Sequence, residues 1–393
     1  MKEVRIGIVG IGNMGSAHAM QIFHKKVEGL ALSAICDIQP KRLEWGKEHF
    51  GSEVAYYSDY KELLASGLID AVIIATPHLL HPVIAVEAFR QGLHVLTEKP
   101  AGIDTRSVQR MNQAAIESGK VFCIMYNQRT NPLFAKLKGL IADGTLGEIK
   151  RFVWIINNWY RTQYYYNSGS WRATWNGEGG GVLLNQCPHN LDIWQWMMGM
   201  PVRLRAFCHE ALYHDISVED DATIYAEYAN GATAVFLTST GEYPGTNRIE
   251  VSGTRGKAVL ENELLKLYLL DVDEREFCFS AQVGFPELPV TCKEFLPEEP
   301  DTGHLGILQN FANAILHGEA LLSPGIEGIN GLTLSNAAYL SSWTDDWVNL
   351  PVDEEKFLQH LHQKQDEETF EKSREIREKT LNTDYFKRWS VQW

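Results

Sequence analysis

The sequence predicts an α/β domain with a doubly wound parallel sheet, followed by an α+β domain built on a large, mostly antiparallel sheet. Three observations carry that reading. Up to residue 126, short continuous apolar runs alternate with segments of helical periodicity, as expected of parallel strands covered on both faces. From Ile149 onward, aromatic and β-branched residues and turn signals take over. At 393 residues and 45% apolar content, the chain is long enough to bury two cores.

The predicted strands of the first domain are Val4–Val9, Ala31–Cys36, a weaker Val54–Tyr57, Ala71–Ala75, His94–Thr97 and Val121–Tyr126. Helices are predicted between them at Gly15–Lys26, Pro40–Phe50, Tyr60–Ala65, Pro82–Gln91 and Thr105–Ser118. A further helix, Pro132–Asp143, precedes the change of texture. The second domain is read as strands Glu148–Asn157, Arg203–His209, Ala222–Tyr228, Ala232–Ser239 and Arg248–Gly253, with helices His189–Met198 and His304–Leu316. An Asn-Gly turn at Asn230-Gly231 marks a hairpin. The expected division is 1–128, 129–351, and a charged helical extension over 352–393. Within that extension Val352–Lys379 reads as a solvated helix, or else as an oligomer contact.

Charge and composition exclude several classes. Thirty-six basic and fifty acidic residues give a net charge of −14, which repels nucleic acid. The longest apolar runs fall far short of a bilayer span, so no membrane partner is expected. The first apolar run leads straight into a glycine loop, so it reads as part of the fold rather than as a signal peptide. The six cysteines show no close pairing and read as reduced thiols of a cytoplasmic protein. No Cys/His set has metal-ligand spacing, so no metal is expected.

Between the first strand and helix lies Gly10-Ile11-Gly12-Asn13-Met14-Gly15. Glycines there let the backbone turn and approach a pyrophosphate at the positive end of the helix, as in a Rossmann domain. Asp37 ends the second strand, placed to accept ribose hydroxyls and to repel a 2′-phosphate. NAD is therefore expected over NADP, although nearby Lys41 and Arg42 keep dual use open. After the fourth strand, Thr76 is placed to reach cofactor; His81 reads either as a cofactor contact or as a cap on the helix it opens. The fifth strand runs into Glu98-Lys99-Pro100, which sets a cationic donor at the mouth of the crevice.

Three motifs stand in order: the glycine loop, Glu98-Lys99-Pro100, and the run from Gly179-Gly180-Gly181 through Asn185 and His189 to Asp192. On these the chain resembles the Gfo/Idh/MocA oxidoreductases over roughly residues 4 to 351. The resemblance implies a two-domain fold and action on sugars, glycosides or cyclitols. It implies that Lys99 contacts nicotinamide ribose and substrate, and that His189 is the general acid/base. It further implies that Asp192 binds substrate, that Arg172 of Trp171-Arg172 approaches the cofactor, and that Arg129 lies in a loop beside the site. An imidazole, titrating nearest neutral pH, suits the hydroxyl proton on chemical grounds as well.

The chain departs from the family pattern at Asn185, where many members carry an aspartate. An amide orients a ring but supplies no charge, leaving either another carboxylate such as Asp192 or a less basic His189. Between Phe152 and Trp196 stand six tryptophans and four tyrosines. Flat rings of this kind suit the C–H faces of a neutral, hydroxyl-rich ring. Trp159–Tyr166, with Trp159 and Tyr164 as substrate contacts, reads as a covering loop, while Trp194 and Trp196 read as core or interface. The expected function is NAD-dependent hydride transfer at a secondary hydroxyl or ketone. The alternatives are an NAD-dependent glycosidase working by transient oxidation, and a non-catalytic NAD-binding regulator. A homo-oligomer, dimer or tetramer, is expected because an open antiparallel sheet needs covering.

Overall fold

The computed structural model describes residues 2–169 and 171–369. The first sheet holds β1 (Val4–Val9), β2 (Leu30–Cys36), β3 (Ala55–Tyr57), β4 (Ala71–Ile74), β5 (His94–Thr97) and β6 (Phe122–Ile124). All its pairings are parallel, in the order β3-β2-β1-β4-β5-β6. The helices between them are α1 (Asn13–Phe23), α2 (Pro40–Phe50), α3 (Tyr60–Leu64), α4 (Leu80–Arg90) and α5 (Thr105–Ser118). Strands β1, β4 and β5 are apolar and nearly all buried, because helices cover both faces. The order reverses between β1 and β4, and a crevice opens at the C-terminal ends of strands at such a switch point.

Beyond α6 (Pro132–Ala142), a nine-stranded sheet is assembled from β7 (Ile149–Ile156), β8 (Arg203–Glu210), β9 (Glu219–Glu227), β10 (Thr233–Ser239), β11 (Asn247–Gly253), β12 (Gly256–Glu261), β13 (Leu264–Leu270), β14 (Val290–Phe295) and β15 (Val348–Asn349). Its order is β14-β13-β12-β11-β7-β10-β9-β8-β15; only β7 and β10 pair in parallel. Short helices α7 (Gln163–Asn167) and α8 (Val182–Asn185) precede α9 (Pro188–Met198). Then follow α10 (Glu274–Ser280), α11 (Gly303–His317), α12 (Gly328–Thr344) and α13 (Glu354–Glu367). Trp194 on α9 lies parallel to Phe152 and Phe236 of the sheet, with centroids 6.2 and 5.7 Å apart. Trp154, Trp175 and Trp194 are thus core, buried to 2% exposure or less.

The chain returns to the first domain after building the second. Ile307, Leu308, Phe311 and Ala312 of α11 share one apolar core with Val4, Ile6 and Ile8 of β1. Helix α13 is charged on one side, but Phe357 and Leu361 are buried on the other and Phe357 stacks on Trp343 of α12. It is a docked helix rather than a solvated appendage. The rest of the predicted extension lies outside the described residues.

Candidate active site

Each glycine of the first loop answers a different demand. Gly10 has φ +92°, and a Cβ there would lie 2.6 Å from the Ala75 carbonyl oxygen. A Cβ at Gly15 would lie 1.8 Å from Gly10 O, so only glycine lets α1 close on the turn. Gly12 has ordinary dihedrals, and a Cβ there would meet nothing within 4 Å. The fold does not require its lack of a side chain; a ligand approaching the backbone does. Gly12 caps α1 without a side-chain bond, so the positive end of the helix, where Asn13 and Met14 begin its first turn, can face an anion.

Asp37 follows β2, and its carboxylate accepts from the N–H groups of Ile11 and Gln39, each at 2.8 Å. It is thereby fixed to the glycine loop with lone pairs to spare for ribose hydroxyls. Arg42 donates to Ile11 O at 3.0 Å from the same side, and burial lowers its pKa against the pull of Asp37. Thr76, following β4, has a buried Oγ1 with no hydrogen-bond partner. An open glycine face, a helix N-terminus, a fixed carboxylate and an orphaned hydroxyl fit a dinucleotide.

At the far end of this cradle the two domains meet. Lys99 Nζ donates to the backbone oxygen of Asn185 at 2.7 Å. Burial lowers the Lys99 pKa, Glu98 opposes that, and Arg172 adds to it. His189 sits in the first turn of α9 with its Nδ1 buried and unpartnered, and its ring stands edge-on to Tyr126 at 6.1 Å. Burial, and then the Lys99 charge, hold its pKa well below the ordinary imidazole value. The imidazole is neutral at neutral pH. Asn185 Nδ2 donates to Glu178, and the Tyr165 hydroxyl reaches Asn185 Oδ1 at 3.5 Å while accepting from Arg172 and Gln186 at 2.8 and 3.0 Å.

Asp192, Arg129, His81 and Glu98 are held by protein partners. Asp192 is fully buried and receives both arms of the Arg129 guanidinium at 2.8 and 2.7 Å, plus Gln195 at 2.9 Å. Arg129 also pairs with Glu327 and donates to Leu322 O. These two residues form an internal ion pair rather than a substrate contact, and Asp192 does not stand in for the carboxylate absent at 185. His81 is buried with both ring nitrogens at carbonyls, Pro100 O at 2.7 Å and Thr76 O at 2.8 Å; it ties two loops together behind the cradle. Glu98 is also buried, bonded to His18 at 2.8 Å. Burial alone would raise its pKa, but His18 holds it at about 2, so its charge supports Lys99 from behind. In the covering segment, Trp159 packs against the core and Tyr164 is partly exposed, while the neighbouring Tyr165 converges on Asn185.

The sequence alone did not single out Glu178, Gln186, His18, His304 and Glu219, and it placed Tyr165 only within the covering segment. Glu219 is buried and accepts from the N–H groups of Gly181 and Leu183 and from the Tyr339 hydroxyl, at 2.8, 2.9 and 2.8 Å. It holds the start of α8, and so the placement of Asn185. Only Glu178 had a local signal, a carboxylate directly before the triple glycine. The others reach the site through tertiary structure: His304 on α11 lies 5.9 Å from His18 on α1, ring to ring. Among the described residues no group of three or more His, Cys, Asp or Glu could hold a metal.

Residues 4–126 match the oxidoreductase family with an NAD-binding Rossmann fold, and residues 134–259 match the GFO/IDH/MocA C-terminal domain. The chain belongs to the Gfo/Idh/MocA oxidoreductases. This family member is 27% identical over 341 residues to myo-inositol 2-dehydrogenase of Thermotoga maritima, covering 85% of this chain and 95% of that protein. It is 25% identical over 393 residues to levoglucosan dehydrogenase of Pseudarthrobacter phenanthrenivorans, covering 89% and 99%. Its fold matches the WlbA dehydrogenase from Bordetella pertussis, solved with NADH and UDP-GlcNAcA. The TM-score is 0.74 at 27% identity, over 89% of this chain and all of that one. The Gfo/Idh/MocA member described above is thus an NAD-dependent oxidoreductase.

Proposed function

We propose that this enzyme oxidises a secondary hydroxyl of a sugar, glycoside or cyclitol, or reduces the matching ketone. One observation carries the reading: a neutral imidazole with an unpartnered nitrogen and a part-buried ammonium converge at the end of a dinucleotide cradle. Relatives named for inositol and levoglucosan support the substrate class. Bound NAD supplies the hydride acceptor. His189 takes the hydroxyl proton, and Lys99 steadies the oxygen as negative charge grows on it. Because burial and Lys99 disfavour a proton on His189, the neutral imidazole stands ready to take the hydroxyl proton in oxidation, whereas ketone reduction draws on the imidazolium, the form this environment disfavours. Tyr165, Arg172 and the Trp159 segment cover the substrate and exclude water, with Tyr164 at the outer edge.

The test is incubation with NAD and a panel of inositols, pyranoses and glycosides. Net NADH is expected; released aglycone without NADH, or bound nucleotide without any product, overturns the reading. Lys99→Ala and His189→Ala should each lower turnover by orders of magnitude with NAD affinity retained.

The reading extends to assembly and compartment. We take the enzyme to be a cytoplasmic homo-oligomer joined through the outer face of the nine-stranded sheet. Phe207, Tyr225 and Trp347 are exposed there, and the thiols of Cys36, Cys123 and Cys187 are buried and free. Among the described residues no helix is long and apolar enough to cross a membrane. Light scattering of the purified protein gives the subunit count, and a monomer at micromolar concentration counts against this arrangement.

A further inference from the structure

We propose that Glu178 is a positioning residue that locks the Asn185 amide with its oxygen turned toward the reacting substrate, making Asn185 an obligate acceptor. The inference rests on the reading of function above and assigns a role within that same site.

Glu178 is 1% exposed, and its Oε2 accepts from the Ala173 N–H at 2.6 Å. Its carboxylate therefore cannot swing away. An ionised carboxylate only accepts, so the group facing its other oxygen has to be a donor. That group is the Asn185 Nδ2. Turning the amide over would set its oxygen against a carboxylate oxygen in a buried place, acceptor facing acceptor, at the loss of the Asn185–Glu178 bond. Asn185 Oδ1 is consequently held on the side of the Tyr165 hydroxyl. The backbone oxygen of the same residue holds Lys99. One residue thus fixes both the ammonium and an acceptor for a substrate hydroxyl, and Glu178 sets its orientation.

Glu178 also restores negative charge near this end of the site. Arg172 Nη1 lies 3.9 Å from it, and its charge is felt at Lys99. Asn185 therefore stays neutral while the carboxylate sits behind it, a relay in which charge and acceptor are separate residues.

The lock predicts a reciprocal exchange. In Glu178→Gln, one acceptor oxygen remains where Ala173 N–H and Asn185 Nδ2 each had one, so one of these two bonds is lost. In Asn185→Asp, two carboxylates face each other. In the double variant, the introduced amide accepts from Ala173 N–H on its oxygen and donates through its nitrogen to the introduced carboxylate, so both of these bonds are restored. On whichever panel substrate the wild type turns over, each single variant should lose roughly 10- to 100-fold in kcat. NAD affinity should hold, and the double variant should recover most of the loss. Additive losses in the double variant, or single variants as active as wild type, overturn the proposal.

If Glu178→Gln does not fold, Asn185→Asp carries the test by its pH profile. Arg172 and Lys99 face the pair as cations, with the hydroxyls of Tyr165 and Tyr166 nearby. The activity of that variant relative to wild type should rise on acidification, as one carboxyl takes a proton and donates to the other; a constant ratio overturns the proposal. A wild type inactive on the whole panel overturns the reading of function instead. The exchange is then scored by thermal unfolding, where two destabilised single variants and a recovered double support the lock and additive losses refute it.

Discussion

His189 shows how one residue's surroundings set its chemistry. Burial and the Lys99 ammonium both oppose its protonation, and Glu98 only partly offsets them. The folded value lies below the ordinary 6.5, so the base stays unprotonated as pH falls through 6.5. The acid limb of kcat/KM for oxidation should therefore lie below the usual imidazole range, and a limb at or above it contradicts the assignment. The glycines yield a second prediction at this scale. Gly12→Ala has room and ordinary dihedrals, so it should keep thermal stability but weaken NAD binding by filling the cradle. Gly15→Ala collides with the Gly10 carbonyl and should lower the melting temperature. Equal effects of the two on folding would remove the argument that Gly12 serves a ligand. The placement of Gly10, Gly12, Gly15 and Asp37 in one strand–turn–helix unit was legible because these elements follow one another in sequence. Glu178 was not, since its partners Ala173 and Asn185 are brought to it by a loop with no periodicity.

At the level of elements, α2 and α5 were legible to the residue, because Pro40 and Asp104 mark their starts. Helix α12 was missed for a physical reason: Gly, Ser, Asn and Thr replace charges, and it is buried nearly all round, so no polar face alternates with an apolar one. The hairpin predicted at Asn230-Gly231 is present and joins β9 to β10. Only Gly231 of the pair has positive φ. The hairpin turn with both central residues at positive φ is Asn262-Glu263, joining β12 to β13. Helix α9 explains the misplaced substrate contacts. It is buried on almost every side, so sharing a face with His189 did not place Asp192 in the cleft. Arg129 and Asp192 are 1% and 0% exposed at their side chains, and Arg129→Ala should cost about 3–5 kcal/mol by stranding a buried carboxylate. Chemical denaturation measures this; a loss below about 1 kcal/mol with impaired substrate binding would return both residues to the site.

The whole molecule is bound together by segments that cross between its two sheets. Helix α11 (Gly303–His317) fills the core of the first domain from the far end of the chain, and brings His304 toward His18 and Glu98. Helix α13 docks through Phe357, and the Glu368 carboxylate beyond it accepts from the N–H groups of Trp175 and Asn176 at 2.7 and 3.1 Å. Those residues precede Glu178, so the end of the described chain braces the loop that carries the site. Two sheets in sequence were legible from the change of texture near residue 149; these returns were not, because periodicity carries no information about which core a helix enters.

The most direct test is single-turnover transfer of deuterium from the carbinol carbon of a labelled cyclitol or pyranoside to bound NAD, in wild type and His189→Ala. Deuterium should appear in the reduced nucleotide of the wild type and form orders of magnitude more slowly in the variant. Equal rates in both, or no transfer from any such polyol to a wild-type protein with NAD bound, would contradict the account.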